Sequence, residues 1–119
     1  MKSKEIDIRP LVVDFIKQNH PEAYITHELN AGTGMYSGRL DVVGVEKDYL
    51  IGFEIKSYCD NLKRLPKQIA EFRPMCKLFY VVADKKHLND VQAFYDEDYK
   101  KHWGILSFHP MYQSRRVYT

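Results

Sequence analysis

Apolar residues recur at Ile8, Leu11, Val12, Phe15 and Ile16. That i, i+3, i+4 spacing puts them on one face of an amphipathic helix. Asp7 reads as its N-cap, with Pro10 in the first turn, and His20-Pro21 ends it. From Ala23 to Leu29 the pattern becomes alternation. Tyr24, Thr26 and Glu28 fall on one face of a strand and Ile25, His27 and Leu29 on the other. Gly32-Thr33-Gly34 and Ser37-Gly38 frame a loop carrying Met35 and Tyr36. Two apolar strands follow, at about 39–45 and 49–57, joined by Glu46-Lys47-Asp48. A second helix is predicted from Leu62 to Arg73, with Leu65, Ile69 and Phe72 as its stripe, Pro66 near its start and Pro74 past its end. Lys77 to Ala83 is continuously apolar after its first residue, the pattern of a strand covered on both faces. A third helix at about 87–96, a strand from Trp103 to Phe108 and a short edge strand within Tyr112 to Tyr118 complete the reading.

The order α-β-β-β-α-β-α-β predicts an α/β fold, a mixed central sheet flanked by helices. The helix between the third and fourth strands should make them parallel through a right-handed crossover. At 119 residues the chain reads as one domain, 1–119, with room for a modest core. It is 45% apolar and 29% charged, which excludes a disordered or low-complexity chain. A net charge of +2 does not identify a partner, so any nucleic-acid signal must lie in where the charges sit. Cys59 and Cys76 form no CxxC pair and read as reduced thiols. The polar start Met-Lys-Ser-Lys-Glu and the absence of a span-length apolar run give the expectation of a soluble, cytoplasmic protein.

The picture changes at Gly38-Arg39-Leu40-Asp41-Val42-Val43-Gly44 and Ile51-Gly52-Phe53-Glu54-Ile55-Lys56-Ser57. Charged groups inside apolar strands are costly unless paired or bound to a metal. Glu54 and Lys56 share one face of their strand. If the hairpin is symmetric about Lys47-Asp48, Asp41 lies directly opposite Glu54, with Cβ atoms roughly 4.5–5.5 Å apart. Two carboxylates at that distance need a proton or a cation between them. Mg²⁺ or Mn²⁺ fits, with the Ile55 carbonyl as a further ligand. Lys56 would position a metal-bound water at a phosphate and stabilise the charge that develops there. The expectation is a metal-dependent phosphodiesterase.

At these residues the chain resembles the PD-(D/E)XK nuclease superfamily. Asp41 matches the first motif acid and Glu54-Ile55-Lys56 the E-x-K half, with Leu40 where the usual proline stands. It is also similar to small bacterial and phage proteins of that type. They share the Glu28-Leu29 pair, the Gly38-x-x-Asp41 turn, Gly52-x-Glu54-Ile55-Lys56-Ser57 and the segment from Asp60 to Ile69. The resemblance spans Ile6 to Gly104. It implies a restriction-endonuclease-like α-β-β-β-α-β core and Mg²⁺-dependent cleavage, with Gln68 reaching the site and a third acid taken from Glu28, Glu5 or Asp7, Glu28 being preferred.

Arg39, Lys63, Arg64 and Lys67 are placed to clamp phosphates, and Tyr36 to enter a groove or stack on a base. The partner expected is nucleic acid, foremost DNA, with a homodimer or a specificity-giving protein alongside. The setting expected is a bacterial or phage-infected cell. The rival reading is a non-catalytic nucleic-acid- or protein-binding module on the same fold.

Overall fold

The computed structural model describes residues 2–30, 38–110 and 115–118. Helix α1 (Glu5–Asn19) leads into strands β1 (Tyr24–Asn30), β2 (Arg39–Val45) and β3 (Leu50–Lys56). Helix α2 (Leu65–Phe72), β4 (Leu78–Asp84), α3 (Leu88–Glu97), β5 (Gly104–Pro110) and β6 (Arg115–Tyr118) follow. The six strands form one mixed sheet in the order β1-β2-β3-β4-β5-β6. The β3–β4 and β4–β5 pairs are parallel, while β1–β2, β2–β3 and β5–β6 are antiparallel. The α2 crossover makes β3 and β4 parallel, as the strand-helix-strand order predicts.

The start of α1 differs from the sequence reading. Lys4, not Asp7, is the N-cap, and Asp7 reaches back so that its Oδ2 accepts from the Lys4 N–H at 2.8 Å. The helix therefore begins earlier, and Glu5 and Asp7 both sit in its first turn, where carboxylates suit the positive end of the dipole. Pro10 falls in the second turn, where it denies the Ile6 carbonyl its helical donor; Ile6 is exposed. Helix α2 is also shorter than expected, because Arg73–Met75 tightens into a 3₁₀ turn around Pro74.

The sheet separates two apolar layers. On one side Ile8, Val12 and Ile16 of α1 pack on Val42, Ile51, Phe53, Ile55, Val82, Leu106 and Phe108. On the other, Leu65, Ile69 and Phe72 of α2 and Val91 of α3 pack on Leu40, Val43, Phe79, Val81 and Ala83. β3 shows why its charges stand out: Ile51, Phe53 and Ile55 face α1, so Gly52, Glu54 and Lys56 must face α2. Residues 50 to 56 are all buried but the first. A glutamate and a lysine are thus enclosed in the α2 layer.

Candidate functional site

The β2–β3 ladder runs from Val45↔Leu50 to Val42↔Phe53, and Glu46 N–H closes the turn on the Tyr49 carbonyl at 3.0 Å. One further step sets Asp41 opposite Glu54, but there the strands part. Ile55 N–H donates to the Asp41 side chain, Oδ2, at 2.7 Å instead of to a β2 carbonyl. The Asp41 backbone carbonyl accepts from Arg9 Nη1 of α1 at 3.0 Å. Arg9 also meets His27 Nδ1 at 2.9 Å and Glu5 Oε2 at 3.1 Å.

β1 distorts at the same level. Its register with β2 is unchanged on either side, His27↔Val42 and Leu29↔Leu40, so no residue is inserted. Between those pairs Glu28 adopts φ 54°. Leu29 and Leu40 pack in the α2 layer, whereas Ile25 and Val42 pack in the α1 layer. Residues two apart normally share a face, so the pleat inverts at Glu28 and Asp41. The strict alternation read for Ala23 to Leu29 fails here for that reason. A left-handed backbone at a residue with a Cβ costs about 1 kcal/mol.

The parted strands open into a cavity of about 560 Å³. Glu5, Glu28, Asp41, Glu54 and Glu71 line it together with Gly38, Gln68, Arg39, Arg64 and Lys67. Glu54 is only 4% exposed; its Oε2 lies 3.6 Å from Lys56 Nζ. Glu54 Oε1 and Gln68 Oε1 are buried with no hydrogen-bond partner. Both orphaned atoms are acceptors, which a proton shared by the carboxyl pair, a turned Gln68 amide or a cation would satisfy. Among the described residues no group of three or more His, Cys, Asp or Glu is gathered closely enough to hold a metal.

Burial raises Asp41 to about 9; the neighbouring Glu54 charge adds to it, and the Ile55 N–H opposes it. Burial likewise raises Glu54 to about 7 against the pull of Lys56. Between them the facing carboxyls therefore keep a proton near neutrality, and a hydrogen bond between the Asp41 and Glu54 side chains holds it.

The structure brings Asp41, Glu54, Gln68, Glu28 and Glu5 to one cavity, with Arg39, Arg64 and Lys67 around it. Asp7 is spent on the α1 cap. Lys63 is exposed and lies outside the lining. Lys56 also lies outside it, buried beside Glu54, and the Ile55 side chain belongs to the α1 layer. Tyr36 lies outside the described residues. The sequence reading missed Glu71 and Arg9. Arg64, Lys67, Gln68 and Glu71 follow i, i+3, i+4, i+7 spacing, so one face of α2 was the available signal.

The family model described as Bacteriophage P4 protein cII matches residues 1–115, and the chain belongs to that family. No curated protein matches it. This finding overturns the nuclease resemblance. The matched family is a phage protein family and not the PD-(D/E)XK superfamily. Phosphodiester hydrolysis and the enzyme assignment go with it. The catalytic roles expected of Asp41, Glu54, Lys56, Gln68 and Glu28 rested on that assignment. No helix of the described residues is long and apolar enough to cross a membrane.

Proposed function

We propose that this member of the Bacteriophage P4 protein cII family is a phage regulatory protein that acts by binding, in the host cytoplasm, with DNA as its partner. The observation that supports this most is the arrangement of Arg39, Arg64 and Lys67 around one cavity. Arg39 comes from β2 and Lys67 from α2, with Arg64 at the α2 N-cap. Two separate elements thus present cations to the same opening, as a phosphate clamp requires. The α1-β1-β2-β3-α2-β4 order supports a restriction-endonuclease-like core as the scaffold of this binding function, with no activity attached to it. A domain this small offers little surface for reading base edges, so a second copy or a partner protein would add specificity.

Mg²⁺ or Mn²⁺ is the cofactor we propose for the floor. Its ligands would be the Asp41 and Glu54 carboxylates and the Gln68 amide oxygen, all hard oxygen donors, and Glu54 and Gln68 each carry an orphaned buried acceptor. Mg²⁺ is commonly held by one or two carboxylates with waters completing its shell. When bound, the ion would supply positive charge to the floor. Arg39, Arg64 and Lys67 would hold phosphates, Asp41 would keep β3 capped, and Lys56 would offset Glu54 from beside it.

Fluorescence anisotropy with labelled duplex and single-stranded DNA tests the reading. Binding should weaken as salt rises, and each of Arg39→Ala, Arg64→Ala and Lys67→Ala should lower the salt slope by about 1. DNA recovered from the complex should be intact. Absence of binding at low salt, or an unchanged slope in the triple variant, overturns it.

A further inference from the structure

Outside the cavity, two lysines are gathered on one aromatic ring. Tyr58 lies in the loop between β3 and α2. Lys86 Nζ stands 4.1 Å and Lys2 Nζ 6.0 Å from the centroid of its ring, a range in which the ring face attracts a cation. Lys86 Nζ also donates to the Tyr58 carbonyl at 3.1 Å, a bond that uses one of the three donors of an ammonium. The backbones that carry the two lysines share a buried anchor. Asp84, 1% exposed at the end of β4, accepts from the Ser3 hydroxyl through Oδ2 at 2.8 Å and from the Lys86 N–H through Oδ1 at 2.9 Å. Ser3 in turn accepts from the Tyr58 N–H at 2.9 Å through its hydroxyl and from the Cys59 N–H at 3.3 Å through its carbonyl. Lys2 therefore stands next to a pinned residue. Both lysines are exposed, and among the described residues neither forms an ion pair. Two like charges held beside one ring repel each other, and an anion between them relieves that repulsion.

The pair sits at the same end of the sheet as the cations of the cavity. Lys56 lies beside Ala83, and the β2–β3 ladder, continued from Val42↔Phe53, brings Arg39 level with Lys56. Arg39, Lys56 and the end of β4 that carries Asp84 thus form a row across three neighbouring strands. The row spans two strand spacings, roughly 10 Å, which about three phosphates of one DNA strand cover along the helix axis. Resting on the DNA-binding function proposed above, we infer that Lys2 and Lys86 form a second phosphate clamp, mounted on Tyr58 and Asp84, and that duplex DNA lies along this end of the sheet across both clamps. Ser3 is a positioning residue: its hydroxyl ties the segment bearing Lys2 to both mounts.

The test is the salt dependence of anisotropy with a labelled random-sequence duplex. Each neutralised phosphate adds about 0.9 to the slope, so five cations give about 4.5 against about 2.7 for the cavity alone. Lys2→Ala and Lys86→Ala should each lower the slope by about 1, in the wild type and in the Arg39→Ala, Arg64→Ala, Lys67→Ala background. Lys2→Arg and Lys86→Arg should keep it, since a guanidinium retains the charge and stacks on the ring. Ser3→Ala should lose the Lys2 contribution, so that adding Lys2→Ala to it lowers the slope no further. Circular dichroism checks that Ser3→Ala is folded, and the two lysine variants carry the test if it is not. Lys47→Ala, in the exposed β2–β3 turn at the other end of the sheet, should keep the wild-type slope. A slope unchanged in either Lys2→Ala or Lys86→Ala, or lowered equally by Lys47→Ala, overturns the second clamp and leaves DNA binding at the cavity in place. A slope lowered by the two lysine variants but not by those of the cavity supports the clamp and overturns the cavity reading. No binding of the wild type at low salt overturns both.

Discussion

Replacing Asp41 with asparagine should stabilise the cation-free protein near neutral pH. Asp41 is raised from 3.8 to about 9, first by burial and then by Glu54. In the unfolded chain it ionises near its ordinary value, so between the two values the folded state holds a proton that the unfolded state has lost. Stability attributable to this group is therefore fully present below about pH 4 and falls as pH rises toward about 9. Each pH unit in that window costs about 1.4 kcal/mol for one proton. Carried from the ordinary value to neutrality, the penalty is about 4 kcal/mol, roughly a quarter to four-fifths of a small domain's net stability. The Asp41→Asn side chain carries no such penalty, and its amide oxygen can still accept from Ile55 N–H, a bond of 2.7 Å in the wild type. Urea unfolding in chelator at about pH 5 and about pH 8 is the assay. Wild type should lose stability across that interval, and Asp41→Asn should lose less by roughly one proton's slope. Parallel pH profiles, or a variant weaker than wild type at the alkaline end, would refute the reasoning.

Three further outcomes are expected. Glu28→Gly should raise the melting temperature, because glycine accepts φ 54° without the penalty of about 1 kcal/mol that a Cβ incurs there. Gly52→Ala should destabilise by about 1–3 kcal/mol in denaturant titration, since the new Cβ would lie 2.6 Å from Cys76 Sγ and 3.3 Å from Leu40. Ser3→Ala should cost about 1–3 kcal/mol: its buried hydroxyl donates to Asp84 Oδ2 at 2.8 Å and accepts from Tyr58 N–H at 2.9 Å. A thermal melt unchanged from wild type would count against that lock.

The hairpin register was legible because three polar residues between two apolar runs leave few ways to close a turn. Counting outward from Lys47-Asp48 reaches Asp41 opposite Glu54 without any tertiary information. The α2 stripe of Leu65, Ile69 and Phe72 was legible for the same local reason. The inverted pleat was not. Its cause is long-range: Leu29 and Leu40 turn to meet α2, and nothing in Ala23 to Leu29 announces a helix that begins only at Leu65. The α1 start was missed because Lys4 makes an unusual N-cap, and Asp7 serves as the partner that reaches back rather than as the cap itself.

The error over function has a physical origin in Asp41 itself. Its carboxylate replaces a ladder acceptor for Ile55 N–H just where β2 and β3 part. An aspartate at that position is thus explained by strand separation alone, before any metal or nucleophile is invoked. Lys56 is similar. Enclosed with Glu54 in the α2 layer and outside the cavity lining, it offsets a buried charge. An acid, an acid and a lysine across two strands specify a charged gap in a sheet. Whether that gap cuts, binds or senses depends on what lines it from other elements, and here those elements bring Arg39, Arg64 and Lys67 alongside Glu5, Glu28 and Glu71. Opposite charges brought to one opening from β1, β2, α1 and α2 suit reversible binding of a charged partner over the cutting of one.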